Sequence, residues 1–84
     1  MPSISSYAAM TSWPAKLVRQ RGEKARLYTE LACAIGDRLL VEIVFRDGVQ
    51  TFASAVTAVH ASGFVDVIGW HGDEEEPTSV KVRK

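Results

Sequence analysis

The stretch RLLVEIVFRDGVQTFASAVTAV, residues 38–59, decides the fold. In its first part Leu39, Val41, Ile43 and Phe45 point one way and Leu40, Glu42, Val44 and Arg46 the other, the period-2 alternation of a β-strand over Arg38–Arg46. Asp47-Gly48 follows at once, and this dipeptide tolerates the positive φ angles of a type I′ hairpin loop. A second strand is therefore expected from Val49 to about Val59. With Asp47-Gly48 as the loop, Arg46 faces Val49, Ile43 faces Phe52, Val41 faces Ser54 and Leu39 faces Val56, so one side of the hairpin is mostly apolar. Ala53, Ser54, Ala55 and Ala58 are small enough to let that second strand bend.

Toward the C-terminus, His60–Gly63 reads as a turn and Phe64–Trp70 as a third strand, with Val65 and Val67 on one face and Phe64, Ile68 and Trp70 on the other. His71-Gly72-Asp73 opens a loop that runs on through Glu74, Glu75, Glu76 and Pro77. Ser79–Arg83 alternates Val80 and Val82 with Lys81 and Arg83, a short closing strand whose lysine suits a sheet edge.

Toward the N-terminus the pattern changes. Ser12 before Trp13-Pro14 suits a helix start, and from Pro14 to Ile35 only Gly22 breaks a helix. At 100° per residue, Leu17, Tyr28, Leu31 and Ile35 share one side, with Ala25 and Ala32 at its margin. Arg19, Glu23, Arg26 and Glu30 form a ladder of alternating sign on the other side. Gly36 suits a left-handed C-cap. The expectation is an N-terminal helix, kinked or split at Gly22 and clearest over Glu23–Ile35. Residues 1–11, rich in Ser and Ala, read as a mobile arm.

A chain of 84 residues holds one small domain, expected over residues 12–84. Its single cysteine, Cys33, excludes a disulfide scaffold and fits a reducing cytoplasm. No apolar run reaches the roughly 18 residues of a membrane helix, so no membrane role is expected. Cys33, His60 and His71 have no metal-ligand spacing, and no phosphate loop, nucleophile elbow or placed carboxylate pair occurs. The expectation is a non-enzymatic protein without metal or cofactor.

Ten basic and ten acidic residues give zero formal charge, but they are unevenly placed. Residues 1–36 hold Lys16, Arg19, Arg21, Lys24 and Arg26 against Glu23 and Glu30. The middle is acidic, with Glu42, Asp47, Asp66 and the run Asp73, Glu74, Glu75, Glu76, and the tail is basic again with Lys81, Arg83 and Lys84. Two binding chemistries follow. The acidic set fits a protein partner with a basic surface. The basic segment 16–26 fits the phosphates of RNA or DNA. Phe45, Phe52, Phe64 and Trp70 stand in apolar surroundings and read as core before they read as base-stacking groups.

From Tyr28 to Val59, the helix end Glu30-Leu31-Ala32-Cys33, the alternating strand, Asp47-Gly48 and the strand containing Ala53 and Ala55 resemble the core of the bacterial Rho-binding antiterminator family. The Asp-Gly turn between amphipathic strands also resembles the first half of the general Sm pattern, while His60-Ala61-Ser62-Gly63 stands where that pattern has an Asn-containing RNA-binding segment. The resemblance implies an N-terminal helix followed by a small, strongly bent antiparallel sheet or Sm-like barrel, an α+β fold that is mostly β. It also implies a regulator of transcription termination whose acidic side chains, here Glu42, Asp47, Asp66 and Asp73–Glu76, engage the basic RNA site of Rho. The alternative is an RNA- or DNA-binding module that uses Lys16, Arg19, Arg21, Lys24 and Arg26.

Overall fold

Strands occupy residues 13–29 as well as the middle of the chain. A computed structural model describes residues 12–72 and 77–84, and in them six strands form: β1 (Trp13–Arg21), β2 (Lys24–Thr29), β3 (Arg38–Phe45), β4 (Gly48–Val59), β5 (Phe64–Ile68) and β6 (Ser79–Arg83). One short 3₁₀ turn, Ala61–Gly63, is the sole helical element among the described residues. The strands pair antiparallel in the closed order β1-β2-β5-β4-β3-β6, with β6 returning to β1. Closure gives each described strand a neighbour on both sides, which limits the exposed edge a small all-β domain would otherwise have to protect, although β6 pairs with β1 only over Trp13–Ala15. The core is built from inward side chains of β2 to β6, Ala25 and Leu27, Leu39, Val41, Ile43 and Phe45, Val56, Val65 and Val67, Val80 and Val82, together with Trp70, and the half-buried Ala15 and Leu17 of β1 pack against it.

The expected small barrel is present, but the N-terminal helix is not. Pro14–Ile35 instead holds the β1–β2 hairpin and a loop. Gly22 does not kink a helix; it is the first residue of a two-residue turn, at φ +59°, with Glu23 at negative φ, the φ signs of a type II′ connection. Ala25, Leu27 and Thr29 are buried while Lys24 and Tyr28 are exposed, a strand pattern that places Leu27 in the core and Tyr28 outside. On β1 the alternation is broken by a bulge between Leu17 and Arg19, which shifts the pairing by one residue at Val18. Ile35, placed on the helix's apolar side from sequence, is 71% exposed. Gly36 does adopt positive φ, at +94°, but in a turn rather than a helix cap, where its amide donates to the Val56 carbonyl.

Three smaller corrections follow from turn chemistry. The β3–β4 loop is Arg46-Asp47 rather than Asp47-Gly48, and neither residue takes positive φ. Gly48 follows as the last turn residue, where type I turns favour glycine. Pairing is thereby shifted by two residues, so that Val41 faces Phe52 and Ile43 faces Gln50. A shift of two preserves which side faces inward, so Leu39, Val41, Ile43 and Phe45 still line the core. β5 ends at Ile68, and Gly69 at φ +88° turns the chain so that Trp70 swings into the core, edge-on to Phe52 at 5.0 Å. β6 lies between β3 and β1 rather than at an edge. No helix among the described residues is long and apolar enough to cross a membrane. The expected N-terminal arm, residues 1–11, and the acidic run Asp73–Glu76 lie outside the described residues.

Candidate nucleic-acid interface

Where cations sit on a strand decides whether they act together. In a helix, Lys16, Arg19, Arg21, Lys24 and Arg26 would point in several directions. In the hairpin they share the outer face. β2 is flanked by β1 and β5, and the register aligns three outward rows across these strands: Lys16, Tyr28 and Phe64; Arg19, Arg26 and Asp66; Arg21, Lys24 and Ile68. Successive rows are about 6.7 Å apart, twice the rise per residue of a strand. Rather than the alternating ladder expected from helical spacing, Arg19 stands directly opposite Arg26 and Arg21 opposite Lys24. Such like-charge cross-strand pairs destabilise a sheet.

A groove of about 510 Å³ runs over this face, lined by Arg19, Arg21, Lys24, Arg26, Thr57 and Ile68 among others. On the neighbouring strand β4 stand the small residues Ala55, Thr57 and Ala58, of which Thr57 lines the groove, with a second bulge between Val56 and Ala58. The bulges in β1 and β4 thus border the β2–β5 pair on both sides, and bulges commonly re-aim side chains beside binding sites.

One carboxylate enters the patch. Asp66 accepts from Arg26 Nε at 2.7 Å and from Arg26 Nη2 at 3.2 Å, and His60 Nε2 lies 2.9 Å from its Oδ2. Hydrogen bonds from Arg26 and then His60, together with the charge of the guanidinium, hold the Asp66 carboxyl at about 2. The same hydrogen bond raises the Arg26 guanidinium above its ordinary value. Among the described residues no carboxylate pairs with Lys16, Arg19, Arg21 or Lys24.

The acidic candidates are scattered. Glu42 lies exposed on β3, the strand diametrically opposite β2 in the barrel order, in register with Thr51 and Lys81. Asp47 sits in the β3–β4 turn, and Asp66 is engaged with Arg26 and His60 on the basic face. The structure brings all five basic candidates onto one face and does not converge these three acids. Tyr28 and His60 were not among the sequence candidates. For Tyr28 the signal was available, in the alternation Lys24, Arg26, Tyr28 against Ala25, Leu27, Thr29 after a turn-forming Gly22. His60 meets Asp66 only through the β4–β5 connection, which no local spacing announces. Of the expected core aromatics, Phe45 and Trp70 are buried and Phe52 packs on Trp70, whereas Phe64 is half-buried beside Tyr28.

Among the described residues no group of His, Cys, Asp and Glu is arranged to hold a metal ion. Cys33 is half-buried, and burial pushes its thiol up, away from the reactive thiolate form. No protein-family model, curated protein or solved structure matches this chain.

Proposed function

We propose that this barrel is a nucleic-acid-binding module that grips the phosphate backbone with the outer face of β1, β2 and β5. The observation that carries this reading is the pair of consecutive like-charged cross-strand contacts, Arg19 with Arg26 and Arg21 with Lys24, over one open groove in a chain of zero formal charge. A sheet that accepts this repulsion gains from it only when an anion arrives. Arginine forks hydrogen-bond phosphate oxygens bidentately, and Lys16 and Lys24 add point charges along the same face. Four of the five cations, Lys16, Arg19, Arg21 and Lys24, have no carboxylate partner among the described residues.

The resemblance to the Rho-binding antiterminator family supplies the competing reading, a protein that presents acids to a basic partner. Its support is the small barrel together with exposed Glu42 and Asp47, which lie away from the basic face. The groove favours the nucleic-acid reading.

Fluorescence anisotropy of a labelled oligo(dT), measured at stepped salt, tests it. The logarithm of affinity is expected to fall linearly with the logarithm of salt, with a slope of about −0.7 per phosphate contacted. Replacing Arg19, Arg21 and Lys24 together by alanine should flatten that slope by about 2. Binding that ignores salt, or that survives the triple replacement unchanged, contradicts the proposal.

A further inference from the structure

The row beyond the arginines is aromatic. Tyr28 and Phe64 face each other across the β2–β5 pair, ring centroids 5.2 Å apart and planes tilted by 58°, and Tyr28 is 43% exposed. A buried tyrosine would need no explanation, but this one stands on the outer wall, one row from Arg19 and Arg26.

Its seat is built by an uncommon backbone. Ser62, a non-glycine residue, lies at φ 68° and ψ 23°, and Gly63 follows at φ +89°. Two successive left-handed residues bring the chain tightly against the ring: a Cβ at Gly63 would lie 3.2 Å from the Tyr28 Cε1 atom and 3.1 Å from the Thr29 carbonyl oxygen. Strained φ/ψ values of this kind persist where the surrounding structure enforces them, and they cluster at binding sites. Phe64 and Gly63 thus back the ring from the β5 side. On its β1 side opens a hollow of about 280 Å³ lined by Pro14, Ala15, Lys16, Thr29 and Glu30. Tyr28 is held as a shelf, with an ammonium from Lys16 on the adjoining strand.

We infer that Tyr28, buttressed by Phe64 and Gly63, is a base-stacking platform, and that the nucleic acid gripped by the groove is a single strand. The inference rests on the phosphate-binding reading of the groove, and it adds what charge alone cannot: a preference for exposed bases. Bases inside a duplex are already stacked on each other, whereas a single strand can lay one on an aromatic ring while its phosphates follow the cationic rows.

Three probes of equal length, about 12 nucleotides and so within the site sizes of single small barrels, separate the contributions: oligo(dT), an abasic sugar-phosphate chain and a DNA duplex. The unaltered protein should bind oligo(dT) about tenfold or more tighter than the abasic chain, the effect of one stacked base. Tyr28→Ala should lower oligo(dT) affinity to the abasic level and leave abasic binding unchanged, and Tyr28→Phe should retain the preference. Gly63→Ala, whose methyl would press on the ring, should reduce it. Equal affinity of the unaltered protein for oligo(dT) and the abasic chain overturns the platform while leaving the phosphate grip standing. Tighter binding of the duplex than of oligo(dT) overturns the single-strand assignment. Failure to bind any of the three removes the phosphate grip and the platform with it. The probe comparison on unaltered protein decides without any variant having to fold.

Discussion

Two faces of one barrel, each three strands wide, have the same backbone and opposite chemistry. Around β2 the outward rows are Lys16-Tyr28-Phe64, Arg19-Arg26-Asp66 and Arg21-Lys24-Ile68. Around β3, diametrically opposite, they are Arg83-Leu40-Ala53, Lys81-Glu42-Thr51 and Ser79-Val44-Val49. On the β3 face each cation stands beside an apolar residue or a carboxylate, whereas on the β2 face Arg19 stands beside Arg26 and Arg21 beside Lys24. The two inner walls meet in one mostly apolar core, with Thr29 and Ser54 as its buried polar residues. The barrel therefore separates tasks by face: the inward residues of every strand supply stability, and one outward face is left free to carry unfavourable charge.

If the inner walls are equivalent, Leu27→Ala in β2 and Leu39→Ala in β3, both fully buried, should each cost about 2–5 kcal/mol in chemical denaturation. A cost below about 1 kcal/mol for Leu27→Ala would mean that β2 is not a true wall of the core. The outer faces should then diverge. Exchanging Lys81 and Arg83 for alanine should leave the salt dependence of oligonucleotide binding unchanged. The Arg19, Arg21 and Lys24 triple replacement, which weakens binding, should leave thermal stability unchanged or raise it, because repulsion is removed. A loss of stability in the triple variant would show that the cations hold the fold together.

The two turns give a smaller contrast. Gly22→Ala should cost about 1–2 kcal/mol, since φ +59° is a left-handed conformation unfavourable to a side chain. Gly48→Ala, at ordinary φ and with open space around a new methyl, should stay within about 0.5 kcal/mol by the same denaturation measurement.

The smallest effect concerns Asp66. Its carboxyl titrates at about 2 in the folded chain against an ordinary 3.8, so the folded form holds fewer protons between those values. Its stabilising contribution is complete above 3.8 and disappears as pH falls toward 2. The difference in melting temperature between the unaltered protein and Asp66→Asn should therefore close as pH falls across that acidic window. A gap that persists at the acid end would mean that the carboxylate's charge is not its source. Freed from Asp66, Arg26 should also steepen the salt dependence of binding by about 0.7.

How far the sequence discloses this molecule depends on where each strand keeps its apolar residues. β3 alternates large side chains without interruption, Leu39, Val41, Ile43 and Phe45, and its span and inward face are legible directly. β6 is equally plain through Val80 and Val82. The β1–β2 hairpin fills its inner wall with Ala15, Leu17, Gln20, Ala25, Leu27 and Thr29, several of them small or polar, and inserts Val18 as a bulge. Thr29 is tolerated inside because its hydroxyl donates to the Pro14 carbonyl and accepts from the Leu31 amide. Such a strand has weak alternation, and its outward Arg and Lys residues favour helix at least as much as sheet. Gly22 was the stronger signal, since a glycine between two charged, alternating segments marks a turn as readily as a kink. The basic candidates were visible as residue types, but their convergence was not, because it depends on the register of β1 on β2 and of β2 on β5. The platform is hidden for the same reason: Tyr28 and Phe64 are far apart in sequence and meet only through the pairing of β2 with β5.

The most direct test of the central claim, that the β1–β2–β5 face is the nucleic-acid surface, is to follow backbone amide resonances by NMR while oligo(dT) is titrated into the protein at low salt. The account predicts that the shifted amides fall in β1 and β2 between Lys16 and Tyr28 and in β5 between Phe64 and Ile68, with β3 and β6 unmoved. Shifts gathered around Glu42 and Lys81 on the opposite face, or none at all, would contradict it.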